Sequence, residues 1–177
     1  MPTFMKKIGL FWGSDTGVTE EIVKLMVDSI GTDKVDSINV FHANIETFGK
    51  YDQLILGLST WYDGELQSDW DEFFEQFKQI DFTGKTIALF GTGDQEGYGQ
   101  YFVDGLGIIG KVILQNGGKL IGKWSTKGYA FEASKAVWED GYFVGLAIDE
   151  DNQPELTDAR LETWLKEILA NFKIYGK

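Results

Sequence analysis

The chain of 177 residues has no cysteine, which removes disulfides, thiolate metal sites and iron–sulfur ligation together. Its one histidine, His42, rules out a multi-histidine metal centre. It falls in or near the second expected strand, away from the loops described below, and reads as an ordinary surface or edge residue. No apolar run approaches the ~18–20 residues of a membrane span. The opening Met1-Pro2-Thr3-Phe4-Met5 has no signal-peptide core, so a cytoplasmic location is expected. Residues 1–5 read as an N-terminal extension, with Met5 as an alternative start, ahead of one domain over 6–177. Cations are scarce too. The net charge is −12, which argues against nucleic acid. Between Ser59 and Gly110 only Lys78 and Lys85 are basic, while Ser59–Phe77 carries Asp63, Glu65, Asp69, Asp71, Glu72 and Glu75. Such a surface suits a basic protein partner.

What remains is 43% hydrophobic, with six Trp, seven Tyr and thirteen Phe, enough for one domain with a substantial core. The chain is organised around Met5–Glu20: a short apolar run, a loop of small and hydroxyl residues, then a helix with Val18, Ile22, Leu25, Met26 and Ile30 on its apolar side. A strand–tight loop–helix unit aims free N–H groups and a helix N-terminus at one spot, which suits a phosphate. Ser14, Thr16 and Thr19 add hydroxyls. A nucleoside-triphosphate loop would need a Lys after its last glycine; Val18 follows Gly17, and no Lys or Arg lies between Gly9 and Glu20. Neutral donors suit one terminal phosphomonoester. The alternative is a plain βα turn with a helix N-cap.

Further along, Lys34–Val40 reads as a second strand, Ala43–Tyr51 as a poor helix, and Gln53–Ser59 as a doubly covered parallel strand. A loop over Thr60–Leu66 leads to a helix with Trp70, Phe73, Phe74 and Phe77 on one side. Lys85–Phe90 is a fourth strand, and a helix is expected from about Gly99 to Gln115. Its Gly105-x-Gly107-x-x-Gly110 does not open after a strand as a dinucleotide fingerprint must, so the glycines read as aids to helix–sheet packing. A fifth strand begins at Lys119, departs over Lys123–Gly141 and resumes at Tyr142–Ile148; a last helix opens near Thr157. The alternation describes a single doubly wound α/β domain.

Ligands of such sheets lie beyond the carboxyl ends of the strands. Three loops leave those ends: Ser14–Thr19, Thr60–Glu65 and Gly91–Tyr98. Trp61 and Tyr98 place a large aromatic in each of two adjacent loops, as a planar ligand held between them would require; the alternative is that they cap the sheet edge. Asp149-Glu150-Asp151 does not have the spacing of an EF-hand. It reads as a solvated turn with one carboxylate turned to a ligand hydroxyl.

Taken together, Lys7–Phe11, Ser14-x-Thr16-Gly17-x-Thr19, Thr60-Trp61, Gly64–Trp70, Gly91–Gln95, Gly97-Tyr98, Trp124-Ser125-Thr126-x-Gly128-Tyr129 and Asp149–Gln153 resemble the flavodoxins over nearly the whole chain. The excursion at 123–141 resembles the extra loop of the long-chain type, inserted in the fifth strand. The resemblance implies a five-stranded parallel sheet of order 2-1-3-4-5 with helices on both faces, and one non-covalent FMN. Its phosphate would sit on Ser14, Asp15, Thr16, Gly17, Val18 and Thr19. Its ring would lie between Trp61 and Tyr98, with Ser59, Thr60, Tyr62, Asp63 and Gly64 on one strand end and Gly91, Thr92, Gly93, Asp94 and Gln95 on the next. Tyr62-Asp63 would stand beside flavin N5, Asp94 near the pyrimidine edge and Asp151 near the ribityl hydroxyls. The implied function is a low-potential one-electron carrier, not an enzyme, cycling between semiquinone and hydroquinone. As a monomer without membrane insertion, it would pass electrons from an NAD(P)H-dependent flavodoxin reductase to acceptor redox proteins with basic surfaces. The alternatives are an NAD(P)H:quinone reductase of the same fold, which would need positive residues for its nucleotide, and a receiver-like phosphate-binding domain.

Overall fold

The computed structural model describes residues 6–173. The expected extension at 1–5, with its alternative start at Met5, lies outside that range. In chain order the elements are β1 (Ile8–Trp12), α1 (Val18–Ile30), β2 (Val35–Asn39), α2 (Ile45–Gly49), β3 (Gln53–Trp61), β4 (Glu65–Leu66), α3 (Ser68–Phe77), β5 (Thr86–Thr92) and α4 (Asp104–Gln115). After these come β6 (Lys119–Ile121), β7 (Trp124–Ser125), β8 (Val137–Glu139), β9 (Tyr142–Phe143), β10 (Leu146–Ile148) and α5 (Thr157–Asn171).

The main sheet runs β2-β1-β3-β5-β10 with every pair parallel, the doubly wound order expected. Side chains alternate across it. Phe11, Leu54, Leu56, Leu58, Ile87 and Leu89 join one core layer, under Trp70, Phe73 and Phe77 of α3 and Leu106, Ile109 and Ile113 of α4. Ile8, Leu10, Ile55, Ala88 and Phe90 face the other, under Ile22, Val23 and Met26 of α1 and Leu161, Trp164 and Ile168 of α5. Both faces are covered, which is why these strands read as continuous apolar runs. On α1 the buried stripe is Thr19, Ile22, Val23, Met26 and Ile30. Leu25 falls about 100° off that stripe and is 46% exposed, so Val23 replaces it in the core.

The fifth strand is interrupted, as expected, and the two halves lie in line. β6 pairs with Thr86–Ala88 of β5, and β10 pairs with Phe90–Thr92. The expected return point is corrected, because Tyr142-Phe143 belongs to a separate antiparallel sheet, β7-β9-β8, built within the excursion. The helix expected from Gly99 starts only at Asp104. Val103 ahead of it sits at φ 48, a left-handed conformation that cannot belong to the helix, and residues 98–103 form turns instead. Of the three helix glycines, Gly105 abuts Leu58 and Thr60 of the sheet, whereas Gly107 rests on the Lys135 carbonyl and Gly110 on the Trp138 ring. Two of the three close approaches therefore serve the excursion.

One close approach fixes the centre of the sheet. A Cβ at Gly57 would stand 2.0 Å from the Phe90 ring of the neighbouring strand. The Gly57 carbonyl accepts from the Trp70 indole at 3.0 Å and from Gly13 N–H at 3.3 Å. Gly57→Ala is therefore expected to overpack the core by about 1–3 kcal/mol. Urea unfolding should show a lower midpoint at unchanged slope, and Gly57→Ala with Phe90→Leu should recover part of the loss.

Candidate functional site

The carboxyl ends of β1, β3 and β5 carry the three expected segments, and Ser59 pairs in register with Thr92, so the Trp61 and Tyr98 segments leave from adjacent strands. One of them is not a loop as expected. Thr60 and Trp61 continue β3 and pair antiparallel with Leu66 and Glu65, which makes the Trp61 segment the tip of a tight hairpin.

The first segment is built so that its amides stay available. Ser14 Oγ accepts from Gly17 N–H at 2.9 Å. Gly17, at φ 91, is the N-cap of α1 and supplies no side-chain acceptor; the first helical bond runs from Glu21 N to Gly17 O at 3.0 Å. The amides of Val18, Thr19 and Glu20 thus lead the helix without an internal partner. Thr16 is exposed beside them. Asp15, whose carboxylate would repel an anion here, is pulled aside. It accepts from Gln67 Nε2 at 2.9 Å, from the Ser68 hydroxyl and from Ser68 N–H at 3.4 Å. Burial pushes the Asp15 carboxyl up, yet the Ser68 hydroxyl, the Gln67 amide and the Ser68 N–H outweigh it and hold the group below its ordinary value. Thr19 is turned inward: its hydroxyl is buried 3.3 Å from that of Thr92, so it anchors the segment to β5. A cation-free cluster of unpaired N–H groups and short hydroxyls accommodates a phosphate.

The second segment presents aromatic surface. Trp61 is half-buried with its indole N–H held 2.8 Å from Ser59 Oγ, and its ring lies 6.1 Å from Tyr62. Thr60 Oγ1 accepts from Gly105 N–H at 2.9 Å. Tyr62 is 65% exposed and adopts φ 45, Asp63 is exposed, and Gly64 is buried at φ 88. Outside the Trp61 ring a groove of about 810 Å³ runs past Leu66 and Phe74 to Ile108. Asp15, Glu65 and Asp71 rim it, and no basic residue lines it.

The third segment follows β5. Gly91 and Gly93 lie against Leu106 and Phe102, and Tyr98 stands 53% exposed. Asp94 Oδ1 accepts from Glu96 N–H at 3.1 Å, Gly97 N–H at 2.7 Å and Asn152 Nδ2 at 2.8 Å. Burial raises its pKa, but the Gly97 N–H, the Asn152 amide and the Glu96 N–H prevail and lower it. Gln95 is buried with its side chain committed internally, to Asp149 at 2.7 Å and Ala130 N–H at 2.6 Å, so its side chain is not offered to a ligand.

Asp149 overturns one expectation. The turn was expected to be solvated, yet this carboxylate is 0% exposed. It collects N–H donors from Gln95 backbone and side chain, Asp151 and Asn152 backbone, and the Asn152 amide, all at 2.7–3.0 Å. It locks the Asp94 segment to the Asp151 turn, a role that one acid in an acidic run does not disclose. Asp151 is exposed; burial, then Asp94, Asp149 and Glu150, push its carboxyl up. Gln67, also missed, couples Asp15 to the start of α3. His42, exposed after β2, takes no part. No group of three or more metal-ligating side chains occurs among the described residues, and no helix there is long and apolar enough to cross a membrane.

The excursion braces this end of the sheet. Ala130 N–H meets Gln95 Oε1, Glu132 N–H and Ala133 N–H meet the Gly99 carbonyl at 2.8 and 2.9 Å, and the Ser134 hydroxyl meets the Phe102 carbonyl. On its far side Arg160 stacks 4.1 Å over the Tyr129 ring and holds Gln153 at 2.8 Å.

Comparison with known proteins agrees with this architecture. The flavodoxin of Klebsiella pneumoniae is 51% identical over 164 residues, 93% of each chain. Flavodoxin 1 of Escherichia coli K12 is 52% identical over 160 residues, 90% of this chain and 91% of its own. A crystal structure of Fusobacterium nucleatum flavodoxin bound to flavin mononucleotide superposes with a TM-score of 0.90 at 35% identity, over 95% of this chain and 99% of that one. The flavodoxin family model itself matches residues 10–164, and the chain therefore belongs to the flavodoxin family.

Proposed function

We propose that this chain is an FMN-dependent electron carrier rather than an enzyme, exchanging electrons between an NAD(P)H-dependent reductase and acceptor proteins with basic surfaces. Flavodoxins are electron-transfer proteins. The observation that carries the reading is the uncapped, cation-free start of α1 standing at the same sheet end as the half-buried ring of Trp61 and the exposed ring of Tyr98. Bound FMN would supply a ring that accepts and gives up single electrons.

This chain's residues would divide the work of holding it. The amides of Val18, Thr19 and Glu20, with the Ser14 and Thr16 hydroxyls, would take the phosphate, and Asp15 would keep the segment in register with α3. Trp61 and Tyr98 would cover the ring, with stacking contributing ~0.5–1.5 kcal/mol per aromatic pair beyond buried area. The Tyr62–Gly64 turn would follow the ring edge. Because Asp94 Oδ1 already accepts from Glu96, Gly97 and Asn152, that oxygen would shape the backbone that faces the ligand. Asp151 would take a sugar hydroxyl.

Charge sets the energetics and the partner. Asp63, Glu65, Asp71 and Glu96 are exposed around these segments. One carboxylate ~10 Å from a new negative charge costs ~1.7 kcal/mol at an effective dielectric of 20. Several together oppose added negative charge at the ring and favour a low potential. The same acids, with the apolar groove between them, suit a basic docking surface.

Two outcomes are expected. Ser14→Ala with Thr16→Ala removes two donors to a dianion, each contributing about 1.5–3 kcal/mol. The FMN dissociation constant, measured by flavin fluorescence, should rise at least about a hundredfold while that of riboflavin stays nearly constant; equal losses would contradict the phosphate assignment. Stopped-flow association with the reductase should be fast in dilute buffer and slow as the Debye length falls from ~30 Å at 0.01 M to ~8 Å at 0.15 M salt. A rate indifferent to salt would remove the acidic face from docking.

A further inference from the structure

Two non-glycine residues among those described have a positive φ, Tyr62 at 45 and Val103 at 48. For a β-branched residue such as Val103 this is a true outlier, a strain that the surroundings must hold in place. The two flank one contact. Tyr62 precedes Gly64 by two positions, and Val103 directly precedes Asp104. A Cβ added at Gly64 would stand 2.7 Å from Asp104 Oδ2 and 3.5 Å from Asp104 Cβ, so the Asp104 carboxyl lies flush against the hairpin tip.

Asp104 is itself unusual. It is 1% exposed, and Oδ1 accepts from Lys135 N–H of the excursion at 2.7 Å. The next residue, Gly105, donates its N–H to Thr60 Oγ1 at 2.9 Å. Burial pushes the Asp104 carboxyl up, against the Lys135 N–H and the Lys135 charge, which lower it. A carboxyl is poorly placed here on solvation grounds alone. Asp104 thus stands between the hairpin tip, whose Gly64 it abuts, and the excursion, whose Lys135 N–H it accepts, while the adjacent Gly105 ties the same helix start to Thr60 of β3.

The geometry points to Asp104 as the positioning residue of the Tyr62–Gly64 turn: the left-handed Val103 aims its side chain under Gly64, and Lys135 of the excursion holds it there. The setting of the turn then depends on the excursion, although no residue of 123–141 needs to reach the ligand. The inference rests on the ring-binding reading above for its effect on flavin, but the joint itself exists without flavin.

The test uses Asp104→Ala, Asp104→Asn and Gly64→Ala in the full chain. The Asn variant keeps the volume and an acceptor for Lys135 N–H, so it should behave nearly as the parent. The Ala variant should weaken FMN and riboflavin alike, about tenfold, because the loss is at the ring side. In the FMN-free protein, ¹⁵N relaxation dispersion should show new exchange at the Tyr62, Asp63 and Gly64 amides of the Ala variant only. Gly64→Ala keeps its backbone strain in either background, so its effect combined with Asp104→Ala should fall short of the sum. Unchanged amide dynamics in Asp104→Ala, or strict additivity with Gly64→Ala, overturns the joint. Trp61→Ala separates the two levels. If it leaves riboflavin binding intact the ring reading fails, whereas a loss there beside an unaffected Asp104→Ala sinks the joint alone. Should Asp104→Ala not fold, an Asp104→Asn variant that weakens riboflavin as much as Gly64→Ala does would also overturn it.

Discussion

A phosphate site without a cation depends on backbone N–H groups that are held still and left unpaired. Both conditions work against ordinary folding, which caps helices and satisfies amides. The start of α1 meets them by division of labour. Gly17 occupies the cap position with no side chain to close the first amides. The hydroxyl of Ser14 takes the one amide, that of Gly17, that points elsewhere. Thr19 pins the segment from beneath through Thr92. Asp15, the anion that could close the site, spends its charge on the start of α3. Most of the surrounding network makes sense as the means of keeping those amides both rigid and free.

The end of the sheet that carries Trp61 and Tyr98 is organised on a similar plan, with buried acids serving as fasteners. Asp149 and Asp104 each lie almost wholly out of solvent. Asp149 fastens the Asp94 segment to the turn after β10, and Asp104 fastens the hairpin tip to the excursion. Exposed acids of the same chain lie around the rim. A single residue type is thus split by burial into internal acceptors of N–H bonds and an external field.

Much of this was legible beforehand. The alternation of apolar strands and amphipathic helices, the hydroxyl-rich segment after β1, and the placing of Trp61 and Tyr98 on segments that leave adjacent strands all follow from local pattern. What was hidden is long-range. Gln95 looks like any loop amide until Asp149 and Ala130 are found on either side of it. Thr19 looks like Thr16 until helical phase turns it toward Thr92. The late start of α4 could not be read, because nothing in Gly99–Val103 forbids a helix locally; the partners of the Gly99 and Phe102 carbonyls lie far along the chain, in the excursion. Asp149 was hidden by its neighbours, since an acidic run gives no sign of which member will be enclosed.

The interrupted fifth strand has a bearing on how such a protein changes over evolutionary time. β6 and β10 meet β5 at Thr86–Ala88 and Phe90–Thr92, so the chain leaves the sheet and rejoins it one rung later. The sheet beyond that point is therefore indifferent to how far the chain has travelled. Doubling the length of a flexible detour costs only ~0.6 kcal/mol in closure entropy. Additions and deletions in the exposed turns between Ile121 and Leu146 are consequently cheap for the fold, and constraint on the detour comes from the bonds it lends to the Gln95–Asp104 segment and from Ala136 and Phe143, which are buried in the core. The turns of the detour, rather than its buried residues, are therefore the natural place for the family to vary in size.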